Sequence, residues 1–256
     1  MPVERGQIRV RLVGTHHTEC HSGPAYGENE AVPLTIDPAH PSTLLLFDLD
    51  GTITDSFDGI ANSFRHALTV VGHPDPDPAL LAGIAGPPML DTLNSLGLAG
   101  ESADAAMAAY RTRYNEVGWL ENSVFPEMAA VLADLQAAGR RMAITTSKNQ
   151  TTARRILTHF GLADHFEYIA GASDDGSRRT KSDVVAHALG HLGVATSDDR
   201  TTDVVIIGDR EHDIDGAGEF GIPAVLVGWG YALEGESDGA RWVVGTVEEL
   251  REVLGV

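Results

Sequence analysis

Two aspartates one residue apart close the run Leu44-Leu45-Leu46-Phe47-Asp48-Leu49-Asp50-Gly51-Thr52. Side chains alternate along an extended backbone, so Asp48 and Asp50 point the same way if that geometry persists. Carboxylates side by side repel and raise one another's proton affinity unless a cation or a shared proton relieves them. A second acidic pair repeats the design: Val204-Val205-Ile206-Ile207-Gly208 runs into Asp209, and Asp213 follows four residues later in the first turn of an expected helix. Hard oxygen ligands of this kind suit Mg²⁺, which keeps several waters and takes one or two carboxylates together with phosphate oxygens. A carboxylate beside such an ion can also attack phosphorus, giving an aspartyl-phosphate that divides one hard displacement into two easier ones.

Phosphoryl chemistry also needs hydroxyl and cationic donors for the equatorial oxygens. The stretch Ile144-Thr145-Thr146-Ser147-Lys148 offers hydroxyls at a strand end, where the next helix N-terminus favours anions as well. Thr146 competes there with Thr145 and Ser147, since such hydroxyls also cap helices. Lys148 and Lys181 are the only lysines among the 18 basic residues. Lys181, at the start of a further helix, is expected to be the cation of the site, and Lys148 to be an ordinary solvated residue. Asp213 has a competing duty too, because an acid in a first turn stabilises the helix dipole.

The elements that must carry these groups read as α/β. Short, mostly unalternating apolar runs at 43–48, 141–146, 166–170, 203–207 and 223–227 predict strands buried on both faces. Amphipathic segments at 127–138, 150–160, 181–192 and 211–219 lie between them, and Thr246-Val247-Glu248-Glu249 opens a last helix with a capping-box pattern. That alternation implies a doubly wound parallel sheet covered by helices. Residues 56–122 interrupt it with helical signals alone, beginning with Ile60, Phe64, Ala67, Leu68 and Val71 on one helix face. The predicted division is a leader at 1–40, a core at 41–55 and 123–256, and a helical cap at 56–122. The leader holds His16, His17, Cys20 and His21, ligand types too closely spaced on an unstructured segment to make a structural metal site.

Composition narrows the partners. With 37 acidic against 18 basic residues the net charge is −19, which opposes binding to nucleic acid and to anionic membrane. Cys20 alone allows no internal disulfide, no apolar run is long enough to span a bilayer, and MPVERGQIRVRLVG lacks a signal-peptide core, so a cytoplasmic protein is expected. Gly216-Ala217-Gly218-Glu219-Phe220-Gly221 matches a dinucleotide fingerprint but falls late in a helix instead of at a strand-to-helix turn. Oligomeric state leaves no signal in the text.

In this order, FDLDGTITDS, ITTSKN, RTKSDVVAHAL and IIGDREHDIDGA resemble the four motifs of the haloacid dehalogenase superfamily of phosphatases, over about residues 43–256. The tail GDREHDIDGA…GIPAVLVGWGY is similar to phosphoglycolate phosphatase and nucleotidase-type members. The resemblance implies an Mg²⁺-dependent phosphomonoester hydrolase with a mobile helical cap and a small phosphorylated metabolite as substrate. It implies Asp48 as nucleophile, Asp50 as general acid and base, and Thr146 and Lys181 as phosphoryl-binding groups. Mg²⁺ would be held by Asp48, the backbone carbonyl of Asp50, Asp209, and Asp213 directly or through water. Gly51, Thr52 and Ser147 would stand next to the substrate, as would Gly86 of the cap loop Gly86-Pro87-Pro88. Arg65, His66, Arg111 and Arg113 are cap cations that suit an oxyanion on the leaving group. Glu127 stands where many relatives have Gly at the second hinge. Asp50 speaks against a dehalogenase, and the lack of lysine between 56 and 125 against a Schiff-base phosphonate hydrolase. A phosphomutase and a catalytically idle binding module stay open as alternatives.

Overall fold

The computed structural model describes residues 36–195 and 203–256; His16, His17, Cys20 and His21 lie outside the described residues. In chain order the elements are β1 (Leu44–Phe47), β2 (Thr54–Asp55), α1 (Phe57–Val70), α2 (Pro78–Ala82), α3 (Met89–Ser95) and α4 (Glu101–Glu116). There follow β3 (Ser123–Val124), α5 (Met128–Ala137), β4 (Met142–Asn149), α6 (Gln150–His159), β5 (Tyr168–Ala172) and α7 (Lys181–His191). The chain ends with β6 (Val204–Gly208), α8 (Glu211–Gly218), β7 (Ala224–Val227), β8 (Trp242–Val244) and α9 (Val247–Leu254).

Six strands form one parallel sheet in the order β5-β4-β1-β6-β7-β8. β1 explains why its sequence is unbroken apolar: Leu45 and Phe47 enter the hydrophobic cluster on one face, Leu44 and Leu46 the cluster on the other. Each such side chain, withdrawn from water, contributes roughly 1.5–3 kcal/mol. The chain winds from β1 outward through β4 and β5, then returns to the other side of β1 for β6. Winding therefore reverses at β1, and in open α/β sheets ligands bind in the crevice at the carboxyl end of that reversal.

The helices α1 to α4 lie between β2 and β3, as the helical signals in 56–122 predict. β2 and β3 pair antiparallel, Thr54 opposite Val124 and Asp55 opposite Ser123, which fastens the two chain crossings of the insert together. This pair and β8 were not foreseen: strands of two or three residues are shorter than one readable period, and the edge strand β8 leaves Val243 exposed. Ile36 packs on the core, and Arg140 donates to the carbonyls of Pro38 (2.5 Å) and Leu254 (2.8 Å), so residues 36–40 belong with the core and not with a loose leader. Glu127 has φ 69°, the left-handed region, which costs a residue with a Cβ about 1–2 kcal/mol and is the conformation that glycine adopts without that cost.

An arginine held in a buried ion pair of the core also reaches the insert. Arg210, between β6 and α8, donates to Glu236 at 2.7 and 2.8 Å and reaches the Ala85 carbonyl in the loop between α2 and α3. The pair's side chains are 5% and 7% exposed. Glu236→Leu should therefore cost about 3 kcal/mol in urea unfolding, because it strands a buried guanidinium, and adding Arg210→Met should recover part of that loss. A single variant as stable as wild type would contradict this.

Candidate active site

Asp48 follows β1 directly, its backbone N–H bound to the Ile207 carbonyl of β6 at 2.8 Å. Lys181 is the first residue of α7, whose N-terminus is set by a capping box between Thr180 and Asp183. That fixed entry sends the lysine under β1: Nζ donates to Asp48 Oδ1 and to the Thr145 carbonyl, both at 2.8 Å, and lies 2.5 Å from Asp213 Oδ1. Asp213 Oδ2 accepts from the backbone N–H groups of Asp209 (3.2 Å) and Arg210 (3.1 Å). One oxygen of Asp213 thus caps α8 and the other faces the carboxylate cluster.

Asp209, fully buried at the end of β6, accepts from the Tyr231 N–H at 2.7 Å and from Thr52 Oγ1 at 3.3 Å. Gly51 turns over it with φ 83°, and a Cβ there would collide with the Asp209 carboxylate. Gly51 and Thr52, expected beside the substrate, instead seat Asp209 and do not line the cleft. The carboxylates of Asp48, Asp209 and Asp213 each offer an oxygen, all within 4.8 Å of one another. The Asp50 carboxylate stands outside that group.

Burial lifts the Asp48 carboxyl to about 6, with Lys181 pulling the other way. Asp209 is pushed well above the usual carboxylate range, by burial first and then by Asp213 and Asp48. Burial pulls Lys181 down, yet Asp213 and Asp48 outweigh it and the ammonium is held firmly protonated. Three carboxylates against one ammonium leave two formal negative charges on side chains that are almost wholly buried. This donor set fits a hard divalent cation such as Mg²⁺, with Asp48, Asp209 and Asp213 as the side chains to hold it.

Lys148 requires a correction: it is not a solvated residue. Its Nζ lies 2.8 Å from Asp50 Oδ2 and donates to Tyr114 Oη of α4 at 2.8 Å, with the side chain 8% exposed. β4 runs to Asn149, beyond the predicted end at 146, so Lys148 sits on the strand tip. Asn149 then caps α6 by accepting from the N–H groups of Thr151 and Thr152. Thr146 is thereby freed of the capping duty and faces the cleft with Ser147.

The cleft between sheet edge and insert has a volume of about 680 Å³. Asp48, Asp50, Thr146, Lys148, Lys181 and Asp213 line its floor; Gly86, Met89, Met107, Tyr110, Arg111 and Tyr114 line the insert side. Met107, Tyr110, Arg111 and Tyr114 fall on one face of α4 at helical spacing, and sequence reasoning passed over the tyrosines because such a stripe reads as core. Arg65 does not reach the cleft: it is exposed on α1, beside Asn62, and His66 is exposed as well. Period alone named the buried face of α1 but not what its other face meets. Arg113 is occupied by Glu121 (2.8 Å) and Ser63 (3.0 Å) within the insert.

Residues 45–227 match the haloacid dehalogenase-like hydrolase family, and the chain belongs to it. It is 51% identical over 223 residues to the tyrosine-protein kinase PtkA of Mycobacterium tuberculosis, covering 86% of this chain and 75% of that one. The solved structure of that protein superimposes with a TM-score of 0.71 over 84% of this chain and 98% of its own. A 5'-nucleotidase of Pseudomonas aeruginosa is 37% identical over 75% of this chain and 85% of its own length. A phosphoglycolate phosphatase of Cupriavidus necator is 29% identical over 84% and 94% of the two chains. No helix among the described residues is long and apolar enough to cross a membrane.

A carboxylate whose folded pKa is raised lowers stability once pH exceeds its unfolded value, because the folded state then holds the proton more tightly than the unfolded state. In chelator, the raised Asp48 and Asp209 carboxyls should therefore make wild type progressively less stable from pH about 4, the ordinary carboxylate value, through about 6 and above. Asp209→Asn removes one of the repelling charges and should be about 1–3 kcal/mol more stable than wild type at pH 8, the gap closing toward pH 4. Denaturant unfolding at both pH values checks this; a constant difference would contradict it.

Proposed function

We propose that the chain hydrolyses small phosphomonoesters with Mg²⁺, through an aspartyl-phosphate on Asp48. The observation that carries the reading is Lys181 held between Asp48 and Asp213, with Asp209 within reach of the same point. Lys181 occupies Asp48 Oδ1 and leaves Oδ2 to attack. Thr146 and Ser147 hydroxyls and the Lys181 ammonium bind the phosphoryl oxygens. Mg²⁺, when bound, neutralises the charge shared by phosphoryl group and carboxylates. Asp48 Oδ2 forms the new P–O bond, the ester P–O bond breaks, and the leaving oxygen takes its proton from the Asp50 carboxyl. Asp50, now a carboxylate, takes a proton from water, whose oxygen attacks the same phosphorus and releases inorganic phosphate and Asp48. Closure of the insert over the cleft keeps bulk water from the first step.

Phosphoglycolate and a nucleoside 5'-monophosphate are the two substrates to weigh. A cleft of about 680 Å³ walled by Met89, Met107, Tyr110 and Tyr114 favours the larger, planar leaving group, and so does the 37% identity to a 5'-nucleotidase. The 51% identity to a protein named as a tyrosine kinase supports a second reading. There the phosphoryl group, taken from a nucleoside triphosphate, passes from Asp48 to a tyrosine hydroxyl instead of water, with Asp50 taking the phenolic proton.

Phosphate release should be measured over phosphoglycolate, nucleoside monophosphates and p-nitrophenyl phosphate, with Mg²⁺ and with chelator. Release that chelator abolishes and that Asp48→Asn lowers by about 10³-fold or more is the expected result. Activity of Asp48→Asn at wild-type level would overturn the nucleophile. Silence on all esters, with label moving from ATP to tyrosine, would replace hydrolysis by the second reading.

A further inference from the structure

The contacts of Lys148 play no part in the scheme above, which uses Lys181 as its cation. Asp50 has both oxygens engaged: Oδ1 accepts from Ser56 Oγ at 2.5 Å and Oδ2 lies 2.8 Å from Lys148 Nζ. Lys148 is held in turn by Tyr114, whose hydroxyl accepts at 2.8 Å and whose ring centre is 4.6 Å from the ammonium. The side chains of Lys148 and Asp50 are 8% and 12% exposed, so a charge-assisted hydrogen bond here is little weakened by solvent. Register between β4 and β5 shifts between Thr146 and Asn149, and the irregular segment carries Lys148. Tyr114 belongs to the insert and stacks on Tyr110 at 5.7 Å, so it reaches Lys148 as part of a paired aromatic face.

A general acid is effective only within hydrogen-bond reach of the leaving oxygen. A flexible lysine would orient a carboxylate poorly on its own, because its four-carbon stem has many rotamers to lose. Tyr114 removes that freedom from the far end. We infer that Lys148 is a positioning residue for Asp50, locked by Tyr114, so that the acid is aligned when α4 is seated over the cleft. This rests on the reading of Asp50 as the general acid of a phosphomonoester hydrolase.

An aligned acid matters in proportion to the basicity of the oxygen it protonates. Phenyl phosphate and p-nitrophenyl phosphate place the same ring in the cleft, but only the unsubstituted phenolate needs much help to depart. Comparing kcat/KM for the two esters with Mg²⁺, in wild type, Lys148→Met, Tyr114→Phe and Asp50→Asn, separates alignment from general damage to the site. Lys148→Met should lower the phenyl phosphate value about tenfold more than the p-nitrophenyl phosphate value, in the same sense as Asp50→Asn. Tyr114→Phe, which keeps the ring, should show the same bias at smaller size. Equal losses on both esters, or no loss, in Lys148→Met while Asp50→Asn separates them would overturn the inference and leave the hydrolase intact. If Lys148→Met does not fold, Tyr114→Phe decides by the same criterion. A wild type inactive on both esters would overturn hydrolase and inference together.

Discussion

One ammonium among three buried carboxylates governs this molecule. Lys181 neutralises part of the charge of Asp48 and Asp213, and Asp209 adds to the surplus from the neighbouring strand tip. Such a surplus is costly among buried side chains, because the attraction of the ion pairs is offset by desolvation of every member. The upward displacement of the Asp48 and Asp209 carboxyls expresses that cost. A fold selected for stability alone would place apolar groups there. The arrangement makes physical sense if a cation and a phosphoryl group share the space.

The strand order β4-β1-β6 brings the required tips together. Because β1 lies between β4 and β6, Thr146, Asp48 and Asp209 end side by side with no long-range adjustment. α7 and α8 then each present one residue from a first turn, Lys181 and Asp213, to the same crevice. Glycine at position 51 lets the loop after β1 pass directly over Asp209. The helical insert, fastened by β2–β3 and by Arg210, supplies a wall whose chemistry differs from the floor: aromatic and thioether groups opposite hydroxyls and charges. Floor and wall meet at Lys148, which touches Asp50 on one side and Tyr114 on the other.

Sheet and floor were legible in the sequence because buried parallel strands are written as short apolar runs and because the runs of β1, β4 and β6 lead into the candidate residues Asp48, Thr146 and Asp209. Asp48, Thr146, Lys181, Asp209 and Asp213 converge as their positions at strand and helix ends imply. What could not be read depends on distant partners or small displacements. Lys148 became visible only once β4 proved to extend to Asn149, and Arg210 only with a partner in a loop beyond β7. Arg65 looked equivalent to Arg111 by type, yet the packing of α1 on α4 sends one to solvent and the other to the cleft. Gly51 and Thr52 carry motif positions but act on Asp209, a neighbour in space and not in sequence.

As proposed, hydrolysis and transfer to tyrosine would both pass the phosphoryl group through Asp48 and differ in the donor and in the hydroxyl that receives it, so similarity to both a nucleotidase and a named kinase is compatible with one floor. The claim beneath either outcome is that the surplus negative charge binds one divalent ion. Electron paramagnetic resonance of chelator-stripped protein titrated with Mn²⁺ tests it most directly. One site per chain, lost in Asp209→Asn, is the predicted result. Absence of binding by wild type, or binding indifferent to Asp209→Asn, would contradict the account.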